Sequence, residues 1–189
     1  MRIGSDLLCQ GQGDPVRFLL LWLALGLAGC TKIESVYAPP IQRISANDWP
    51  KGRLKYFITM DAHDAMDHVV EQVLPNLESG GWRWTMQRPT FRFMVPETKG
   101  MKLRVDLTVP ELTFKQTGPV TISFYVQDHY LDKLTVTQSG DARFFKAVPA
   151  EWLGTEMPVV VRMEIDKMWT SPVDGIQRGF ILTRLGFVQ

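Results

Sequence analysis

Two of the three histidines in the chain, His63 and His68, fall in the stretch Thr59-Met-Asp-Ala-His-Asp-Ala-Met-Asp-His68, alongside Asp64 and Asp67. Imidazole and carboxylate groups ligate Zn²⁺, so His63, Asp67 and His68 are candidate metal ligands. A zinc site needs three or four such donors, and beyond this stretch only His129 remains. The expectation is therefore a solvated acidic loop, or a weak adventitious metal site, with no bound cofactor. Glu164 and Asp166 are spaced like a pair of glycosidase carboxylates. In a strand, however, residues two apart share one face, which makes them an exposed surface. No Gly-x-Ser-x-Gly elbow, Walker motif or dinucleotide glycine pattern occurs. The expectation is a protein that is not an enzyme.

The aromatic residues offer binding rather than bond-breaking chemistry. Five tryptophans lie beyond residue 30: Trp49, Trp82, Trp84, Trp152 and Trp169. Sugar rings present apolar C–H faces that stack on such planes, while Asp, Glu and Arg take the hydroxyls. Trp82 and Trp84 share a strand face with Arg83 opposite, and their spacing suggests core packing. Trp169 instead lies in the polar loop Asp166-Lys-Met-Trp-Thr-Ser-Pro-Val-Asp-Gly175, with Asp174 and Arg178 close by, and forms a candidate recognition rim. Glu78 and Arg83 flank Gly80-Gly81, either as further ligand contacts or as an ion pair fixing that turn.

The elements that must position these groups are strands. Met101, Leu103, Val105, Leu107 and Val109 alternate with Lys102, Arg104, Asp106 and Thr108, the pattern of a half-buried strand. Val120–Val126 and Val159–Ile165 alternate in the same way. Further strands are expected at 54–60, 82–86, 90–96, 131–137, 143–148 and 179–188, with turns at Gly80-Gly81, Gly118-Pro119, Gln127-Asp128-His129 and Ser139-Gly140-Asp141. Met66, Val69, Val70, Val73, Leu74 and Leu77 fit a helical stripe, but Pro75 would break it, so a short strand with irregular flanks is expected there. The fold class is all-β, an antiparallel sandwich with few or no helices. With 45% hydrophobic residues and a net charge of +1, the chain is neither disordered nor built to bind nucleic acid.

The N-terminal segment carries a different signal. Arg17 precedes the apolar run Phe18–Gly29, which is too short to span a bilayer but suits a signal-peptide core. It ends in Leu27-Ala28-Gly29-Cys30, which resembles a bacterial lipobox. The resemblance implies cleavage before Cys30 and acylation of that cysteine, so that the chain joins a membrane through an N-terminal lipid. Residues 1–29 then form a lipoprotein signal peptide, 30–53 the lipidated N-terminus and Pro-containing tether, and 54–189 the sandwich domain. Asp6 and Asp14 are unusual ahead of a signal core, which leaves open a translation start at Val16. Thr31 rather than Asp follows Cys30, so the resemblance to Gram-negative lipoproteins implies the periplasmic face of the outer membrane.

Two further resemblances bear on function. The order Gly81-Trp-Arg-Trp-Thr85, the 101–109 strand, Pro119–Val126, Phe145–Trp152, Val161–Asp166 and Gly179–Phe187 is similar to galactose-binding-like jelly-roll modules. Such modules accompany bacterial glycosyltransferases and surface polysaccharide systems. This implies a jelly-roll sandwich serving carbohydrate binding or a polysaccharide pathway. An envelope scaffold that binds another protein shares every one of these features. The stretch His63–His68 resembles the first metal motif of metallo-β-lactamase-fold hydrolases, with Ala65 where the second histidine belongs. Metal-dependent hydrolysis is the remote third reading.

Overall fold

The computed structural model describes residues 54–189. The strand β4 (Lys102–Val109) has the expected alternation: Leu103, Val105, Leu107 and Val109 are buried, while Lys102, Arg104 and Thr108 face outward. The other strands are β1 (Phe57–Thr59), β2 (Val69–Val73), β3 (Arg83–Phe93), β5 (Val120–Val126), β6 (His129–Val136), β7 (Gly140–Ala147), β8 (Val159–Ile165), β9 (Trp169–Thr170), β10 (Gln177–Arg178) and β11 (Ile181–Val188). Pairing is antiparallel throughout, in the order β6-β5-β8-β3-β11-β4-β7, with β1 on β11 and β2 on β3. The fold is an all-β antiparallel sandwich.

Strand β3 serves both layers. Arg83 and Trp84 pair with β11, while Thr90–Phe93 pair with β8. The register against β2 slips twice between these regions, around Pro89, which has no N–H to give a ladder. The sequence suggested two strands here, 82–86 and 90–96; the chain instead keeps one bent strand that changes partners. One layer holds β1, β11, β4 and β7, and the other β2, β8, β5 and β6. Between the layers Phe124 of β5 stacks on Phe144 of β7 at 3.7 Å, and Phe93 of β3 meets Phe187 of β11 edge-on at 5.9 Å. Lys146 of β7 reaches Asp132 of β6 at 2.5 Å, drawing the two outermost strands toward each other.

The 65–77 region resolves as a 3-10 turn (Ala65–His68) running into β2. One helix, α1 (Glu111–Thr117), escapes the period-two pattern because seven residues are too few to declare a 3.6-residue repeat. Pro110 opens it, Gly118 at φ 66° closes it, and Glu111 pairs with Lys115 one turn later. Gly186 meets a tighter requirement. Its φ is 144°, and a Cβ there would lie 2.4 Å from the carbonyl oxygen of Tyr56, so β1 can approach β11 only because no side chain intervenes.

Candidate functional site: an arginine-clasped cleft

Alternation turns Arg104, Asp106 and Thr108 of β4 to the outer face of their layer. Register then supplies their neighbours. Asp106 lies opposite Arg143 of β7 on one side and Arg184 of β11 on the other, and Thr108 lies opposite Asp141. The result is one carboxylate clasped by three guanidinium groups. Arg104 binds it with two atoms, Nη2 to Oδ2 at 2.7 Å and Nε to Oδ1 at 3.3 Å. Arg143 Nε donates to Oδ1 at 2.6 Å, and Arg184 Nε lies 2.6 Å from Oδ2. Burial pushes the Asp106 carboxyl up, but the hydrogen bonds from Arg104 and Arg143 outweigh it and hold the group below the usual 3.8.

Beside this clasp the surface sinks into a cleft of about 520 Å³, lined by Thr59, Asp61, Gly81, Asp106–Thr108, Asp141–Arg143, Thr183 and Arg184. Its cause is local to β11. The register against β4 shifts between Leu182 and Arg184, and on the other edge β11 exchanges β3 for β1 over the same residues. The bulged Thr183 is tied down on both sides: its hydroxyl donates to the Asp106 carbonyl at 2.9 Å, and its own carbonyl accepts from Met60 N–H at 2.8 Å. Asp141 accepts from the Thr108 hydroxyl at 2.6 Å. The cleft thus carries two guanidinium groups, Arg143 and Arg184, together with two carboxylates, Asp61 and Asp141. Its lining contains no His, Ser or Cys, and Asp106 is held ionised. The hydroxyl, carboxylate and guanidinium groups that line the cleft can hydrogen-bond a polar ligand.

Arg83, expected as a ligand contact or as the partner of Glu78, is turned inward by the structure instead of toward Glu78. It is buried and donates through Nε to the Met60 carbonyl at 3.2 Å and through Nη1 to the Pro75 carbonyl. It thereby fixes the turn that presents Asp61. Glu78 forms a backbone bridge with Trp82 across the Gly80-Gly81 turn. Trp82 and Trp84 do share a strand face, but its sense is inverted relative to the expected core packing. Arg83 and Thr85 point inward, where the Thr85 hydroxyl donates to the Phe180 carbonyl at 2.9 Å. The two tryptophans pack outside, edge to face at 5.8 Å, and Trp84 leans on Trp169 at 6.0 Å.

Trp169, Asp174 and Arg178 are brought together, but as a packed cluster. Trp169 is only 7% exposed, so it offers no open stacking plane. The Arg178 guanidinium lies 5.8 Å from the Trp84 ring and 5.9 Å from the Trp169 ring, and it forks onto Asp174 at 2.8 and 2.5 Å. Those bonds hold the Asp174 carboxyl well below the usual carboxylate range. The tip of this β9–β10 hairpin carries the exposed Val173 and Ile176.

The metal candidates are dispersed. His68 is fully buried, with Nδ1 2.9 Å from the Arg92 carbonyl and Nε2 accepting from Lys55 N–H at 3.3 Å. Burial lowers its pKa below 6.5, so both ring nitrogens serve the fold as a neutral imidazole. Asp64 pairs with Lys55 at 2.8 Å, and His63 is exposed. No group of three His, Cys, Asp or Glu residues among the described residues is placed to hold a metal ion. Cys30 and Trp49 lie outside the described residues, as do the expected signal peptide and tether.

No family model matches the chain, and no curated protein matches it. Among solved structures, one that is similar is an acetyl xylan esterase (Est2A) from the rumen bacterium Butyrivibrio proteoclasticus. It shares 10% identity at a TM-score of 0.42, and the match covers 69% of this chain and 31% of that one. The chain therefore spans less than a third of that structure's length.

Proposed function

We propose that this chain is a non-catalytic, lipid-anchored β-sandwich protein of the bacterial cell envelope that binds carbohydrate through the cleft between β1, β4, β7 and β11. The observation that carries the binding reading is the lining of that cleft. Threonine hydroxyls, aspartates and guanidinium groups converge there on a volume of about 520 Å³, within the usual range for small-molecule sites. Thr59, Asp106, Thr108, Asp141, Arg143 and Arg184 are set by strand register and Asp61 by the turn that Arg83 ties down, which pre-organises the donors and acceptors that a polyhydroxylated ligand needs. The Cys30 motif supports the anchor, and its resemblance to Gram-negative lipoproteins supports the periplasmic face of the outer membrane.

Calorimetric titration of the purified full-length chain with envelope polysaccharides tests the binding. Saturable heat that is lost in Asp141→Asn and Asp61→Asn is expected, and silence toward every glycan would overturn the reading. Metabolic labelling with palmitate, abolished in Cys30→Ser, tests the anchor. A scaffold role is favoured by one observation, the exposed apolar side chains of Val173 and Ile176 on the β9–β10 hairpin and of Leu112 on α1, which contacts β9. Cross-linking at Val173 in intact cells would capture a protein neighbour on that reading.

A further inference from the structure

The three arginines around Asp106 do not share it equally. Arg104 engages both carboxylate oxygens, and its guanidinium lies 5.9 Å from the Phe57 ring, so it is spent within the structure. Arg143 and Arg184 each approach Asp106 through Nε alone, from the two strands flanking β4. Their terminal amino groups have no partner among the described residues, and both side chains are about half exposed where they line the cleft. One negative charge faces three positive ones, which leaves the clasp with two positive charges in excess. An arginine held at Nε keeps the outer edge of its fork fixed and free, the arrangement that captures a planar anion by two parallel hydrogen bonds.

The carboxylates that share the cleft limit which anion fits. Asp141, fixed by the Thr108 hydroxyl, and Asp61 both line the same space. A dianionic phosphate would share the cleft with these two carboxylates and be repelled by them, whereas a singly charged carboxylate beside hydroxyls would place its charge on the arginines and its hydroxyls on the aspartates. We propose that the cleft is specific for acidic saccharides, with Arg143 and Arg184 holding the carboxylate of a uronic-acid unit and Asp61 and Asp141 taking its ring hydroxyls. This rests on the carbohydrate-binding reading above and names its ligand class.

Binding of the full-length chain to oligogalacturonate and to the matching neutral galactose oligomer, measured by calorimetry at low and high salt, separates the two levels. The proposal expects at least tenfold tighter binding of oligogalacturonate, weakening markedly between 0.05 and 0.5 M NaCl. Arg143→Gln and Arg184→Gln should each weaken binding of oligogalacturonate at least tenfold more than binding of the neutral oligomer, and Arg143→Lys should restore only part of the preference. Equal binding of the two oligomers would overturn the acidic specificity and leave the carbohydrate reading standing. Binding of neither, with every variant still melting cooperatively, would overturn both. Preference for galactose 1-phosphate over galacturonate would overturn the assignment of a carboxylate.

Discussion

Replacing Asp106 with Asn removes the one charge that lets three guanidinium groups sit on adjacent positions of the outer sheet face while keeping the side chain's shape. The contacts at stake are Arg104, Arg143 and Arg184, at 2.7, 2.6 and 2.6 Å. Half-exposed ion pairs contribute roughly 0.2–1 kcal/mol each, and hydrogen bonds to a shielded charge roughly 1.5–3 kcal/mol. Asp106 is only 7% exposed, so the clasp as a whole is expected to be worth about 2–3 kcal/mol, the lower part of the summed range because two of its partners are well hydrated. For a domain of this size that corresponds to a fall in Tm of about 6–15 °C at pH 7. The pH dependence follows from linkage. The carboxyl is held below 3.8 in the folded chain and returns to its ordinary value on unfolding, so its stabilisation is complete above about pH 5 and is lost as pH falls through the depressed value. Thermal melts followed by circular dichroism from pH 7 to pH 2.5 should therefore show the gap between the two proteins closing in acid. Melting of Asp106→Asn within 2 °C of the parent at pH 7, or a gap that stays constant down to pH 2.5, would refute the account of the clasp.

Three other perturbations probe the rest of the frame. Because His68 is buried and its folded pKa lies below 6.5, unfolding takes up a proton as pH falls below that value. Stability should decline from pH 7 to 5, and His68→Gln should flatten that slope in urea titrations. Gly186→Ala should cost roughly 2–5 kcal/mol, since its Cβ would meet the Tyr56 carbonyl in a backbone conformation that side chains avoid; denaturant midpoints measure this. Trp169→Ala should lose about 3–5 kcal/mol of stability yet bind glycans at 15 °C as the parent does, because its ring is packed under Arg178 and lies away from the cleft.

The strands were legible because period two is a local property. Val120–Val126 and Val159–Ile165 have the bounds their alternation indicates, and β4 differs by one residue. The alternation of Lys102, Arg104, Asp106 and Thr108 also marked the outer face of the layer, although on that face Asp106 is buried beneath its arginines. It could not reveal a site there, because the clasp is made by register: Arg143 lies 37 residues from Asp106 along the chain and meets it only when β7 pairs with β4. Pairing partners are decided by packing between the layers, which no short window records. The same limit explains Trp82 and Trp84. Alternation placed them on one face but could not say which face was inside, and an arginine in the alternate position proved to be the inward residue, satisfied by two carbonyl groups that come from elsewhere in the chain. Trp169 sat in a segment that reads as a loop, and only the hairpin β9–β10 and its cross-strand pair with Arg178 show why it is covered.

Strand β11 is the last of the described elements along the chain and touches more of the fold than its eight residues suggest, pairing with β1, β3 and β4. Phe57 must wait for Gly186, so the first strand stays unpartnered until almost the whole domain has been synthesised. Such long sequence separations slow folding, because loop closure precedes any gain from pairing. A chain emerging from its N-terminus would thus keep β1 unpartnered until β11 emerged, and the β1–β11 seam would close only afterwards. A nonsense codon at Ile181 would leave three strands with bare edges and the cleft without Thr183 or Arg184, and the expected product is an aggregate rather than a shortened binder.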